Sequence, residues 1–150
     1  MKRILMLILA IVMLVLPLFV YSTARQPGDE IIGVWMTEVK DAKVQVYRDG
    51  NTYYGKIIWL MEQEQNSKTP LLDTLNPNPK LRTRTRENIV ALTGLVSCGD
   101  RKYSKGIIYY PTNGKTYSCA ASMVNDKTLK LRAYYGLTLI GQSIKFTKIQ

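Results

Sequence analysis

From Ile31 onward the chain is written in short apolar–polar alternations, broken at near-regular intervals by turn residues. Successive side chains of a strand point to opposite faces, so a period of two marks a sheet with one buried face. Val44 and Val46 alternate with Lys43 and Gln45, and Asp49-Gly50 supplies a tight hairpin signal before the run Tyr53 to Leu60. Further on, Ile107 to Tyr110 meets Pro111-Thr112-Asn113-Gly114, and the return run alternates Tyr117, Cys119, Ala121 and Met123 with Thr116, Ser118 and Ser122. Asn125-Asp126 turns the chain into Thr128 to Tyr134, where Leu129, Leu131 and Ala133 share a face, and finally Ile144 and Phe146 alternate with Lys145 and Thr147. With Ile31–Val39 and Glu87–Ser97 the count reaches about eight strands, joined as sequential hairpins with no helical period. This predicts an all-β fold, a small antiparallel up-and-down barrel.

Met61 to Arg86 breaks the rhythm, with Pro70, Pro77 and Pro79 and few alternating apolar residues. It predicts a long loop at about 61–86, a length that inside a compact domain points to a functional lid or a linker. The amino terminus breaks it differently. Lys2 and Arg3 precede an unbroken apolar run from Ile4 to Val20, and Ser22-Thr23-Ala24 puts small residues where a signal peptidase cuts. Pro17 and the small-residue exit favour cleavage over a retained membrane anchor. Residues 1–24 therefore read as a signal peptide and residues 25–150 as a single β-barrel domain, exported to the periplasm or beyond the cell.

Charge sharpens this picture. Removing residues 1–24 takes two of the 21 Lys and Arg and none of the 11 Asp and Glu, leaving a domain of net charge +8. Such a balance suits contact with anionic envelope surfaces or simply solubility, and export makes nucleic acid an unexpected partner. The chain has no His, so it lacks the commonest general base and metal ligand, and no metal or cofactor is implied. Glu62, Glu64 and Asp73 leave a carboxylate-pair enzyme as a distant option. Arg82, Arg84 and Arg86 would present three guanidiniums on one side of an extended segment, an anion grip, or else a charged edge. Cys98 and Cys119 are a possible disulfide in an oxidising compartment. Ten Tyr, with pairs at Tyr53-Tyr54, Tyr109-Tyr110 and Tyr134-Tyr135, place one ring of each pair on each face of a strand.

Several of these residues fall in one pattern. Gly33-Val34-Trp35, Tyr54-Gly55-Lys56-Ile57, Asp73 with Asn76-Pro77-Asn78-Pro79, Gly106-Ile107-Ile108-Tyr109-Tyr110-Pro111, Asn113 to Cys119, Leu129 to Arg132, Tyr134-Tyr135-Gly136 and Leu139 to Ser143 resemble the bacterial family known as domain of unknown function 2147. The resemblance runs from about Ile32 to Ile149. Tyr110 stands where the family usually has Asp, Ala133 where it has Gly and Phe146 where it has Trp. The family has no established activity, and the Tyr110 departure removes a carboxylate from that turn, which weakens any enzymatic reading built on it. Gly33-Val34-Trp35 is also similar to the glycine-x-tryptophan motif of lipocalins, whose Trp closes one end of an eight-stranded barrel under a basic side chain from a late strand. That resemblance implies Trp35 and Arg132 as the closing pair, although Leu129, Leu131 and Ala133 claim the inner face of Arg132's strand.

The expected function is non-catalytic binding of an apolar or amphipathic small molecule, such as a lipid, within the barrel. Tyr54, Tyr109, Tyr117, Ala121, Leu129 and Leu131 are the candidate ligand contacts. The rival reading is an interaction module that docks on anionic envelope components through its basic surface. Oligomeric state is not determined by these patterns.

Overall fold

The computed structural model describes residues 25–65, 69–136 and 140–150; the apolar run and cleavage site read as a signal peptide lie outside the described residues. The predicted alternations form eight strands: β1 (Gly33–Thr37), β2 (Ala42–Asp49), β3 (Thr52–Leu60), β4 (Val90–Ser97), β5 (Lys102–Tyr110), β6 (Lys115–Asn125), β7 (Thr128–Tyr134) and β8 (Gly141–Lys148). Each pairs antiparallel with the next, and β1 pairs with β8 through Trp35↔Lys148 and Thr37↔Phe146, so the sheet closes on itself. Closure removes both free edges, which is why a sequence of plain hairpins can stand as a domain.

β5 starts five residues before the alternation predicts. A bulge between Tyr103 and Gly106, with Lys105 at φ 62°, breaks the period there, while Tyr103 still reaches the interior. The inward positions expected from the pattern are otherwise those observed. Val46, Ala121, Leu129, Leu131 and Ala133 are buried in the main core with Trp35, Leu95, Cys119 and Phe146, and Val44 and Tyr117 pack against it.

The meander divides the barrel into two unlike ends. The β2–β3, β4–β5 and β6–β7 turns lie at the end that also receives the amino-terminal segment. There Gly28 to Ile31, including a 3-10 turn at Asp29–Ile31, crosses over the core. Tyr103 Oη donates to Gly28 O (2.7 Å) and Tyr53 Oη to Asp29 Oδ1 (3.1 Å). The two rings meet edge to face at 5.5 Å. Burial, together with the Asp29 carboxylate it donates to, pushes the Tyr53 phenol up to about 12, so it stays a donor at any physiological pH.

Trp35 is 0% exposed at this closed end, its indole Nε1–H donating to Ile31 O at 2.8 Å. The cation over its ring is Lys148, with Nζ 5.2 Å from the centroid and also donating to Glu30 O at 3.0 Å. This corrects the expectation for Arg132, which sits between buried Leu131 and Ala133 and therefore on the outward face of β7. Lys148 continues the inward parity of Ile144 and Phe146, and burial pulls its pKa below the usual lysine value.

Candidate functional site

The β1–β2, β3–β4, β5–β6 and β7–β8 connections gather at the other end, and there the interior opens. A cavity of about 620 Å³ is walled by Val44, Ile57, Ala91, Ile108 and Ile144, with Tyr110 and Leu60 nearer the mouth. Polar groups sit at its rim: Thr37, Glu62, Arg86, Gln142 and Ser143. The space exists because the large inward side chains, Trp35, Tyr53, Tyr103, Met123 and Phe146, fill only the closed half of the barrel. An apolar wall with a few polar groups at the entrance suits a molecule with a hydrocarbon body and a polar end, and the volume lies within the ~300–1,000 Å³ of small-molecule sites.

One rim element is the long loop between β3 and β4, and a buried ion pair holds it there. After the short helix α1 (Met61–Gln65), the chain returns as a 3-10 turn at Pro79–Leu81 and an isolated bridge between Leu72 and Thr85. Asp73, 0% exposed, is the anchor. Its Oδ1 accepts from Tyr109 Oη on β5 (2.6 Å), and its Oδ2 accepts from Asn76 Nδ2 (2.7 Å), Arg84 Nη2 (2.8 Å) and Arg84 Nε (3.0 Å). Burial by itself raises the Asp73 pKa, but the hydrogen bonds from Tyr109, Asn76 and Arg84, with the Arg84 charge, outweigh it and hold the carboxyl below its ordinary range. Tyr109 moves the other way, its phenol raised by burial and by the Asp73 carboxylate. Neutral Tyr109 and ionised Asp73 are thus the states that lock the loop to the barrel. The fit is tight: a Cβ on Gly114, in the β5–β6 turn at φ 69°, would stand 2.0 Å from Leu75 O.

This anchor revises the reading of the three arginines. The segment is not extended, so Arg82, Arg84 and Arg86 do not line one face; their Nε atoms donate to Asn76 O, Asp73 Oδ2 and Leu72 O respectively. They act as struts within the loop, and Arg86 also lies 3.8 Å from Glu62 at the rim. Asp73 is enclosed by four donor contacts, and Glu62 and Glu64 lie on α1.

Of the candidate ligand contacts, Tyr109 lines the cavity. Tyr117 stacks edge to face on Tyr110, 5.6 Å away, and so backs a cavity wall. Ala121, Leu129 and Leu131 are packed into the core, and Tyr54 lies on the other face of β3 from buried Tyr53, stacked on Tyr47 at 5.7 Å. Alternation identified the inward positions but not their depth along the barrel axis. Val44, Ile57, Ala91 and Ile108 belong to the mouth because of strand register, a non-local property.

The possible disulfide is also corrected. Cys98 is exposed and within 2.9 Å of Ser104 Oγ, whereas Cys119 is buried, and both are free thiols. The intervening β5 keeps them apart, and burial pushes the Cys119 thiol up to about 12.

Comparison with known proteins agrees with this geometry. Protein HP1028 from the human pathogen Helicobacter pylori, described as belonging to the lipocalin family, superposes with a TM-score of 0.70 at 25% sequence identity, over 79% of this chain and 82% of that one. No curated protein matches the chain. The model of a family described as uncharacterized proteins conserved in bacteria, DUF2147, matches residues 33–148. That span includes every strand of the barrel and the anchored loop, so the chain belongs to the DUF2147 family, with a lipocalin-like barrel as its fold.

Proposed function

We propose that this protein is an exported binder that holds an apolar or amphipathic small molecule, such as a lipid, in the mouth of its barrel. The observation that carries the reading is the 620 Å³ cavity, apolar within and polar at its rim, set in a lipocalin-like barrel. Arg86, Gln142, Ser143 and Thr37 stand where the polar end of an amphipathic guest would emerge, and Val44, Ile57, Ala91, Ile108 and Ile144 would cover its tail. Export rests on the amino-terminal grammar of Lys2-Arg3, the apolar run and Ser22-Thr23-Ala24.

The test is titration with a fluorescent fatty acid at ~0.1 M and ~1 M salt, between which the Debye length falls from ~10 Å to ~3 Å. Attachment to surface lysines fades over that range, while apolar burial persists. Ala91→Trp and Ile144→Trp fill the cavity from different walls, with circular dichroism to verify that each variant is folded. Salt-resistant binding lost in both folded variants is the expected result. No binding to the unaltered protein, or binding that either folded plug leaves untouched, would overturn the proposal.

A further inference from the structure

The acidic residues of this protein lie in turns, loops and short helices, with Asp49 alone inside a strand. β5 to β8, four consecutive strands, carry seven Lys or Arg and no Asp or Glu; six of the seven lie outside the barrel, and Lys148 lies inward over Trp35. Most of the 11 acidic residues precede them in the chain, and Asp100 and Asp126 lie in turns at their ends. Register converts this composition into a surface. Lys102 pairs with Ser122, Ser122 with Lys130, and Lys130 with Lys145, so three ammonium groups stand in one row across the outside of four strands. At about 4.8 Å per strand the row is roughly 14 Å wide. Lys105 and Arg132 flank it toward the mouth. Between the cations the wall is small and largely polar, with Ser118, Ala120 and Ser122 on its outward face.

Among the described residues, Lys102, Lys105 and Lys130 have no carboxylate within salt-bridge distance; Lys145 lies 3.8 Å from Glu38 at the β1 margin, with both side chains more than half exposed. Lys102, Lys105 and Lys130 therefore present positive charge that no carboxylate among the described residues pairs with. The wall also presents two aliphatic side chains to solvent, Ile107 at 48% and Val124 at 61% exposure.

We propose that the outer wall of β5–β8 docks the protein on an anionic lipid bilayer. The lysine row matches a layer of negatively charged headgroups, each cation near such a surface adding about 1 kcal/mol, or about fivefold in partition. Ile107 and Val124 decide between a bilayer and a soluble polyanion. Aliphatic side chains among lysines gain from the acyl boundary beneath the headgroups, whereas a polyphosphate chain offers them nothing. Among the described residues no ring stands within the row itself to stack a base, as single-stranded nucleic acid would require; Tyr134 and the exposed Tyr135 lie beyond Arg132. The wall lies outside the barrel, and the proposal does not depend on whether the cavity is occupied.

The full-length chain, expressed with its own amino-terminal segment and purified as the cell leaves it, is sedimented with vesicles of 30% phosphatidylglycerol in phosphatidylcholine, with pure phosphatidylcholine vesicles, and with soluble polyphosphate on beads. The triple variant Lys102→Gln, Lys130→Gln, Lys145→Gln should lose about 100-fold in partition to the anionic vesicles. A charge-matched control on the opposite side, Lys40→Gln, Lys56→Gln, Lys80→Gln, should lose at least tenfold less. Ile107→Ser with Val124→Ser should weaken vesicle binding severalfold and leave polyphosphate capture unchanged. Equal losses in the two triples would show that net charge alone is responsible and would overturn the proposal. So would polyphosphate capture without vesicle binding, or indifference of the vesicles to phosphatidylglycerol. Because none of these variants touches the cavity and neither plug touches the wall, failure here and failure of fatty-acid binding are separate results.

Discussion

Arg84→Met isolates the energetics of the loop anchor. It removes the only cation within salt-bridge distance of Asp73, among the described residues, and leaves a fully enclosed carboxylate with Tyr109 and Asn76 as its side-chain donors. Breaking a buried pair from one side costs about 3–5 kcal/mol. The Arg84 side chain is 36% exposed, so solvent already screens part of the attraction and the lower end, about 3 kcal/mol, is expected. In a domain of this size that is about 10 °C in Tm. The sign with pH follows from Asp73. Its folded pKa is held below the unfolded value, so the anchor's contribution is complete above the unfolded carboxylate range, near pH ~4, and is lost as pH falls through the folded pKa. Without Arg84, its hydrogen bond and charge no longer lower the Asp73 pKa, which rises from its wild-type position. The stability gap between wild type and variant should therefore be widest above pH ~5 and close as both carboxyls become protonated. Urea unfolding followed by tryptophan fluorescence across pH 3–7 reads this directly, with Asp73→Asn as the partner for a double-mutant cycle. A loss under ~0.5 kcal/mol at pH 7, or a gap that does not narrow in acid, would refute the account of Asp73 as a charged, structure-bearing anchor.

Three further outcomes are expected. Trp35→Ala should destabilise by about 3–5 kcal/mol in denaturant titration, because the ring is 0% exposed beneath Lys148 and its indole N–H is satisfied by Ile31; a loss below ~1 kcal/mol would contradict its place at the closed end. A thiol reagent should modify Cys98 alone in the folded protein and both cysteines after unfolding without reductant, since Cys119 is buried and its thiolate disfavoured; an absence of free thiols in the unfolded, unreduced protein would restore the disulfide. Amino-terminal sequencing of protein recovered from the periplasm or medium should begin at Arg25, and a start at Met1 in the membrane fraction would refute cleavage after Ala24.

Alternation and turn chemistry are local, so the chain's own pattern determined the strand count, the hairpin order and the inward sets Val44/Val46, Ala121/Met123, Leu129/Leu131/Ala133 and Ile144/Phe146. A meander of eight such strands has few ways to bury its apolar faces, and closure into a barrel is the simplest. The parity that makes Leu131 and Ala133 inward also sends Arg132 outward, and the parity of Ile144 and Phe146 points to Lys148, so the cation over Trp35 was legible one strand later than expected. Other features were not legible because they depend on distance through the fold. Asp73 and Arg84 are eleven positions apart with no periodic relation, and Tyr109 joins them from another strand. Depth along the barrel axis, which separates core Ala121 from cavity-lining Ala91, is set by cross-strand register and by where the large rings accumulate. The separation of Cys98 from Cys119 and the alignment of Lys102, Lys130 and Lys145 likewise arise only when β5 is threaded between its neighbours, since hydrogen-bonded register is a relation between strands and is written in none of them singly.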